Sequence, residues 1–488
     1  MSKLSAVAGV FSVVSKKRVA VLVAAGSALG LGFWGGSAAG APHATTGSDW
    51  TRFGWSAARS SAPTFATGIT AANVQALKRQ QIQLDGTVDS SAIYLHGVQA
   101  AGGTHDVFFV TTTYGKTIAI DATTGSVLWR FTPPGYASWA GSAQITTATP
   151  VADPGRTSIY AASPDGKIYK LAVADGHALW SATITKLPSH EKIAASLNYA
   201  NGHVIATTGG YFGDAPPYQG HVALIDPASG KVLQIWNSLC SNRHALIDPA
   251  SCPASDSAIW GRAGAVVDPA SGDLLVATGN APWDGHTNWG DAVLVLNSSA
   301  TKLIGNYTPT NTADLNSSDA DLGSTSPVIL GPGFVAQGGK DGIIRLLSRK
   351  RLQGAAPHKG GELQTVRTPS GTDLFTAPAV WHSTSTWMFA GDNGGTAGYV
   401  FKNGHLRTAW HNGTGGTSPV VAGGLLWVYS PGGGLNVYRP TTGALVARLD
   451  AGSGHWNSPI VVDGRVALPE GNANDHATTG VLDVWRLP

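Results

Sequence analysis

The chain has 488 residues, 63 of them glycine and 16 tryptophan, and only 12% are charged. Its formal net charge is +3, with four basic residues (Lys3, Lys16, Lys17, Arg18) and no acidic ones in the first 41 positions. The remainder therefore has no basic excess, which excludes nucleic acid as an electrostatic partner.

In chain order, Lys16, Lys17 and Arg18 form a basic start, an apolar run follows from Val19 to Phe33, and Ala39-Gly40-Ala41 supplies small residues. Basic, apolar, small is the order of a secretory signal peptide over residues 1–41, with an uncleaved membrane anchor as the alternative. The expected location is therefore secreted, periplasmic or cell-surface. A lead-in segment occupies 42–80, where Thr70–Arg79 reads as a short helix capped near Thr70.

From residue 81 onward two motifs recur. One is a turn followed by a tryptophan, fullest in Ala119-Ile-Asp121-Ala-Thr-Thr124-Gly125-Ser-Val-Leu-Trp129. Further copies are Asp226–Gly230 with Trp236, Arg439–Gly443, Val173–Gly176 with Trp180, and Lys402–Gly404 with Trp410. An Asp side chain can accept from the turn's own amides, Gly takes the φ > 0 position, and Trp lands on the next strand to pack between sheets. The other motif opens a strand with Ser or Thr before proline: Thr149-Pro150, Ser326-Pro327, Ser418-Pro419 and Ser458-Pro459, with Ala377-Pro378 a variant. Proline at a strand's start costs no ladder donor. Looser copies near Ser91, Ala195 and Ala263 bring the count to eight inner strands, about 56 residues per unit.

This spacing predicts an all-β chain, an eight-bladed β-propeller of four-stranded antiparallel blades over 81–488. Gly480–Leu487 reads as a strand that the segment near Gln81–Leu84 completes, closing the ring. Cys240 and Cys252, an even pair outside the cytoplasm, are expected to form one disulfide.

The Asp-x-x-Thr-Gly-x-x-x-Trp turns resemble the tryptophan-docking repeats of pyrroloquinoline-quinone (PQQ)-dependent alcohol dehydrogenases. The resemblance covers essentially the whole chain after the signal and implies PQQ and calcium as cofactors. Leu275–Trp283 is similar to the family's Thr-Gly-Asn-x-x-Pro-Trp stretch, which assigns Asn280 to calcium; a loop Asn satisfying backbone groups is the alternative. Gly339-Lys340-Asp341-Gly342 looks like the strand whose basic residue contacts the quinone oxygens, or else is a solvated Lys-Asp-Gly turn.

Asp314, Asn316, Asp319 and Asp321 occupy the place of the family's base. Asn316 aligns best but cannot take a proton, so Asp319 and Asp321 become the candidates, in a pattern closer to the polyvinyl-alcohol-dehydrogenase-like branch. Turn-forming carboxylates are the other reading. Asp214 lies near the family's acidic calcium ligand, and Trp260 near its stacking Trp, although Arg262 holds the aligned position. The chain lacks the adjacent cysteine pair of the methanol enzymes and any Cys-x-x-Cys-His. His455, beside Trp456, falls in a late-blade loop where it could line the funnel mouth.

Two functions follow. The first is an exported PQQ- and calcium-dependent dehydrogenase of a small-molecule or polymer alcohol. The second is a non-catalytic scaffold that binds a protein or polymer at its rim. Membrane contact is expected only through an uncleaved N-terminal segment.

Overall fold

The computed structural model describes residues 47–488; the signal peptide read over 1–41 lies outside them. Eight antiparallel sheets of four strands each are present, as the repeat count requires. Blades 1 to 8 begin with innermost strands at Ile93–Ala100, Val151–Ala152, Asn198–Ala200, Val266–Val267, Val328–Gly331, Ala379–His382, Val420–Ala422 and Ile460–Val462. Among the described residues the one α-helix is Thr312–Ser317.

The ring closes through the chain ends. Lys78–Leu84 is the outermost strand of blade 8 and pairs with Gly480–Arg486, from Lys78 opposite Arg486 to Leu84 opposite Gly480. The helix expected over Thr70–Arg79 is not formed. Only a 3₁₀ turn, Val74–Ala76, survives, and the chain is extended from Lys78. Sheet pairing with the C-terminal strand outweighs the local preference of ten residues too few for a stable isolated helix.

The turn motif explains how neighbouring blades hold together. Trp129 of blade 1 lies over Gly176 of blade 2, where an added Cβ would come within 2.4 Å of the ring. Its Nε1 donates to the Val173 carbonyl at 2.8 Å. Trp180 repeats the arrangement on blade 3 through Pro227 (3.2 Å), and Trp410 on blade 7 through Pro440 (2.8 Å). Glycine is thus demanded twice at Gly176, by a φ of +77° and by the indole above it.

The Ser/Thr-Pro motif clips the inner ring. Thr325 Oγ1 donates to the Thr376 carbonyl (2.7 Å), Thr417 Oγ1 to that of Asn457 (2.6 Å), and Ser458 Oγ to that of Ser418 (3.0 Å). Thr147 Oγ1 reaches the Ala194 carbonyl at 2.8 Å. Each bond joins one blade's opening to the next and satisfies a buried backbone acceptor.

Innermost strands still present free edges to the axis, and the lead-in covers them. Trp50 exchanges backbone bonds with Tyr94, and Thr51 and Ala57 accept from Ala152 and Val267. Ser60 and Ser61 accept from Val380 and Val421. These are the second residues of innermost strands in blades 1, 2, 4, 6 and 7. Arg59, buried, donates to the carbonyls of Ser196 and Leu197 at blade 3. The lead-in therefore plugs one end of the central channel, which leaves a single mouth at the end where the innermost strands begin.

Candidate functional site

The open end holds a cavity of about 730 Å³, within the usual range for a small-molecule site. Its lining follows a register. The residue four positions before each innermost strand points there from six of the eight blades: Asp89, Thr147, Ala194, Arg262, Phe375 and Trp456. Five residues of extended chain, about 16 Å, separate this layer from the lead-in plug.

Three rings form an aromatic plate. Trp260, Phe375 and Trp456 have centroids 6.0, 5.9 and 5.3 Å apart, with interplanar angles of 35°, 29° and 25°. The Lys340 ammonium stands 5.8 Å from the Trp260 ring centre, and the Arg262 guanidinium 4.7 Å from that of Trp456. Both distances suit cation–π attraction.

On one wall Lys340 Nζ meets Asp321 Oδ2 at 2.5 Å and Asp319 Oδ1 at 2.8 Å. Asp321 is buried and Asp319 exposed. Burial raises Asp321 above the ordinary carboxylate range despite the opposing pull of Lys340; Lys340 is in turn raised, because its two carboxylates outweigh its own burial. Asp321 Oδ1 accepts the Asn280 backbone N–H at 2.6 Å. This seat requires Gly279, where a Cβ would fall 2.3 Å from that oxygen. Beneath it lies Asp291, fully buried. Its Oδ1 accepts from the Leu322 N–H at 3.0 Å, and its Oδ2 has no partner. Burial pushes Asp291 up to about 8.

The opposite wall carries Asp89, buried and gripped by Arg262 Nη2 (2.7 Å), His455 Nδ1 (2.7 Å) and the backbone N–H groups of Trp456 (3.2 Å) and Ala473 (3.0 Å). Burial alone would raise Asp89; Arg262 and His455 reverse this and hold it well below the ordinary range. Lys192 also lines the cavity, and its ammonium has no hydrogen-bond or ion-pair partner among the described residues. Burial and neighbouring Arg262 pull it down to about 8. A two-stranded ladder, Glu191–Lys192 with Gly209–Gly210, presents it. Behind that ladder Glu191 Oε1 is bonded to buried His221 Nε2 at 3.0 Å.

Of the residues singled out in the sequence, Asp214, Trp260, Arg262, Asp319, Asp321, Lys340 and His455 share this cavity. Asn280 does not line it and touches the site through its backbone. Asp314 and Asn316 are exposed on the helix Thr312–Ser317. Cys240 and Cys252 are joined. Cys252 packs with Leu239, Ile247 and Ala281, so the bridged loop backs the Thr-Gly-Asn segment. Sequence reasoning missed Asp89, Lys192 and Phe375; the position four residues ahead of an innermost strand was the available signal for Asp89 and Phe375, while Lys192 stands on the separate ladder.

The lining offers rings for a planar group to stack on; of its cations, Arg262 is engaged by Asp89 and Lys340 by Asp319 and Asp321, which leaves Lys192 unpaired among the described residues. As they stand, the carboxylates do not form a calcium site. Lys340 already sits on Asp321, exposed Asp214 accepts from Tyr218 Oη at 2.8 Å, and no three His, Cys, Asp or Glu side chains converge on an ion site among the described residues.

Comparison with known proteins agrees with the resemblance read from the repeats. A PQQ-type family model described as outer membrane protein assembly factor BamB matches residues 44–257. A polyvinylalcohol dehydrogenase of Pseudomonas sp. is 25% identical over 244 residues, which is 47% of this chain and 36% of that one. The chain spans about a third of the length of the curated relatives it matches. Among solved structures, the quinohemoprotein alcohol dehydrogenase of Comamonas testosteroni superposes with a TM-score of 0.63 at 15% identity, covering 90% of this chain and 80% of that one. BamB of Moraxella catarrhalis gives 0.53 at 13% identity, over 84% and 99%. These structural likenesses establish the fold.

Proposed function

We propose that this propeller, exported from the cytoplasm, binds a PQQ-type cofactor in its open funnel and oxidises an alcohol there. The observation that carries this reading is the convergence, on one cavity, of an aromatic plate with the Lys340–Asp321 pair. The relatives named polyvinylalcohol dehydrogenase support the substrate class. The disulfide supports an oxidising compartment.

A bound ortho-quinone supplies a two-electron acceptor for the alcohol's C–H hydrogen. The chain's own residues supply the rest. Trp260, Phe375 and Trp456 fix a planar ring system. Lys192, the cation of the lining left unpaired among the described residues, meets its negative charge. Lys340, held by Asp319 and Asp321, directs an N–H donor into the cavity, where a developing oxyanion is stabilised. Asp291, pushed up to about 8 by burial, is neutral at pH 7, so it adds no second charge beneath Asp321.

A scaffold would offer a continuous apolar rim. Among the described residues the large exposed apolar ones are instead dispersed: Leu179, Leu233, Leu363 and Leu445 lie on or beside outermost strands of blades 2, 3, 5 and 7, and Phe212 lines the cavity. The test is dye-linked oxidation by the PQQ-loaded protein of ethanol, a secondary alcohol and polyvinyl alcohol. Turnover of any of them supports the reading. A folded, PQQ-bound protein that reduces no dye with all three refutes it.

A further inference from the structure

We propose that the Asp89–His455 dyad is the proton acceptor of the funnel, with His455 Nε2 as the atom that takes the alcohol's hydroxyl proton. The proposal rests on the oxidoreductase reading above and deepens it, moving the base from the Asp319/Asp321 wall to the wall facing it.

The geometry is that of an oriented base. Asp89 is buried and ionised, so it can only accept, and His455 Nδ1 must donate to it across their 2.7 Å contact. In the neutral ring the lone pair is then on Nε2, which has no partner among the described residues, while the half-buried imidazole lines the cavity. Three further contacts fix the ring. It stacks on Trp456 with centroids 3.9 Å apart at 22°, its backbone N–H donates to Asn457 Oδ1 at 2.9 Å, and Ala473 N–H shares Asp89 Oδ2. A carboxylate that locks tautomer and orientation behind an imidazole is the arrangement by which histidine accepts protons from hydroxyl groups.

Asp321 lacks this freedom. One of its oxygens accepts the Asn280 N–H and the other holds Lys340. That makes it a positioning residue for Lys340. Asp89 is equally occupied, which leaves His455 as the dyad's reacting member. Asp89 bonds the imidazole directly and Arg262 bonds Asp89 from its other side, and Lys192, Asp214, Asp319, Asp321, Asp373 and Lys340 share the cavity.

The step balances. The hydroxyl O–H bond breaks and its proton goes to Nε2. The adjacent C–H bond breaks, and its hydrogen leaves with the electron pair for the quinone. The carbon–oxygen bond becomes a carbonyl. The alcohol is oxidised by two electrons, the quinone is reduced by two, and Nε2 returns its proton to water.

Asp89 and His455 belong to the first and last blades, so the dyad also spans the closure seam. Asn457 Nδ2, bonded to the Val88 carbonyl at 2.6 Å, holds that seam independently. The test therefore takes two readouts: the tautomer, which the proposal requires, and a pH profile, which a seam clasp would not move. The first is the imidazole ¹⁵N spectrum of the wild-type protein without cofactor, with the His455 signals identified by their absence in His455→Gln. A protonated Nδ1 and a bare Nε2 in the neutral ring are expected. The opposite tautomer overturns the proposal.

The second readout is the pH profile of kcat with PQQ bound, in wild type, His455→Gln and Asp321→Asn. The proposal expects His455→Gln to lose about 10²–10⁴-fold in kcat and the acid limb of the profile, with its melting temperature preserved. His455→Asn serves as a second variant if glutamine disturbs the fold. Wild-type turnover in both variants overturns the dyad, as does an acid limb that vanishes only in Asp321→Asn; either leaves the oxidoreductase reading standing. A folded, PQQ-bound wild type without turnover sinks that reading and the dyad with it.

Discussion

Asp291 makes the energetics of the site measurable without any ligand. Its carboxyl is fully buried, with Oδ2 unpartnered and Asp321 nearby, and burial lifts it to about 8 from an ordinary 3.8. A carboxyl raised on folding contributes stability that is fully present below its unfolded value and is lost as pH rises through its folded value. Between pH 5 and pH 8 the loss is at most about 4 kcal/mol, from a proton-linkage slope of about 1.4 kcal/mol per pH unit that flattens near the folded value. Asp291→Asn keeps the acceptor for Leu322 N–H, carries no charge, and so escapes that loss. For a propeller of this size the unfolding entropy makes about 1 kcal/mol worth about 1 °C. Melting curves of both proteins should therefore show the variant gaining about 4 °C on wild type as pH goes from 5 to 8. An equal gap at both pH values would refute the reasoning.

Other perturbations probe the frame. Trp129→Ala should cost about 3–5 kcal/mol, through the emptied site between blades 1 and 2 and the orphaned Val173 carbonyl, whereas Trp129→Phe should recover most of it; denaturant midpoints at constant slope measure both. Replacing Cys240 and Cys252 together by alanine should cost about 3 kcal/mol, the loop-closure entropy of a bridge with a sequence separation of 12, read as the shift in denaturant midpoint from oxidised wild type to the variant. Lys340→Met leaves Asp321 buried without its cation and should destabilise by about 3 kcal/mol at neutral pH. That penalty should shrink as acid protonates Asp321, and a pH-independent penalty would contradict the pairing.

The fold was legible because its signals are local and repeated. Asp121, Gly125 and Trp129 state a turn, its conformation and its docking partner within nine residues, and the same grammar recurs around the ring. The closing pair of Gln81–Leu84 with the C-terminal strand was legible; its extension back to Lys78, which overrode the short helix, was not, because the partner strand lies some four hundred residues away. The site was half legible. Lys340, Trp260 and Asp321 stand in recognisable strings, whereas Asp89, Lys192 and Phe375 stand in none. What unites Asp89 and Phe375 is distance ahead of a strand, a property that emerges only once strand starts are known, and Lys192 rides on a two-residue ladder. The Lys340–Asp321 contact and the backbone role of Asn280 depend on side-chain placement, which spacing does not encode.

The central claim is that the funnel holds a quinone through this chain's own side chains. Its most direct test is titration of the protein with PQQ, following tryptophan fluorescence, once with a calcium chelator and once with millimolar calcium. The account predicts saturable quenching from Trp260 and Trp456 that is the same in both titrations and lost in Lys340→Met. Quenching that requires calcium would show that the bound cofactor rebuilds a metal site that the Lys340–Asp321 pair now blocks. No quenching in either titration would remove the quinone from the account altogether.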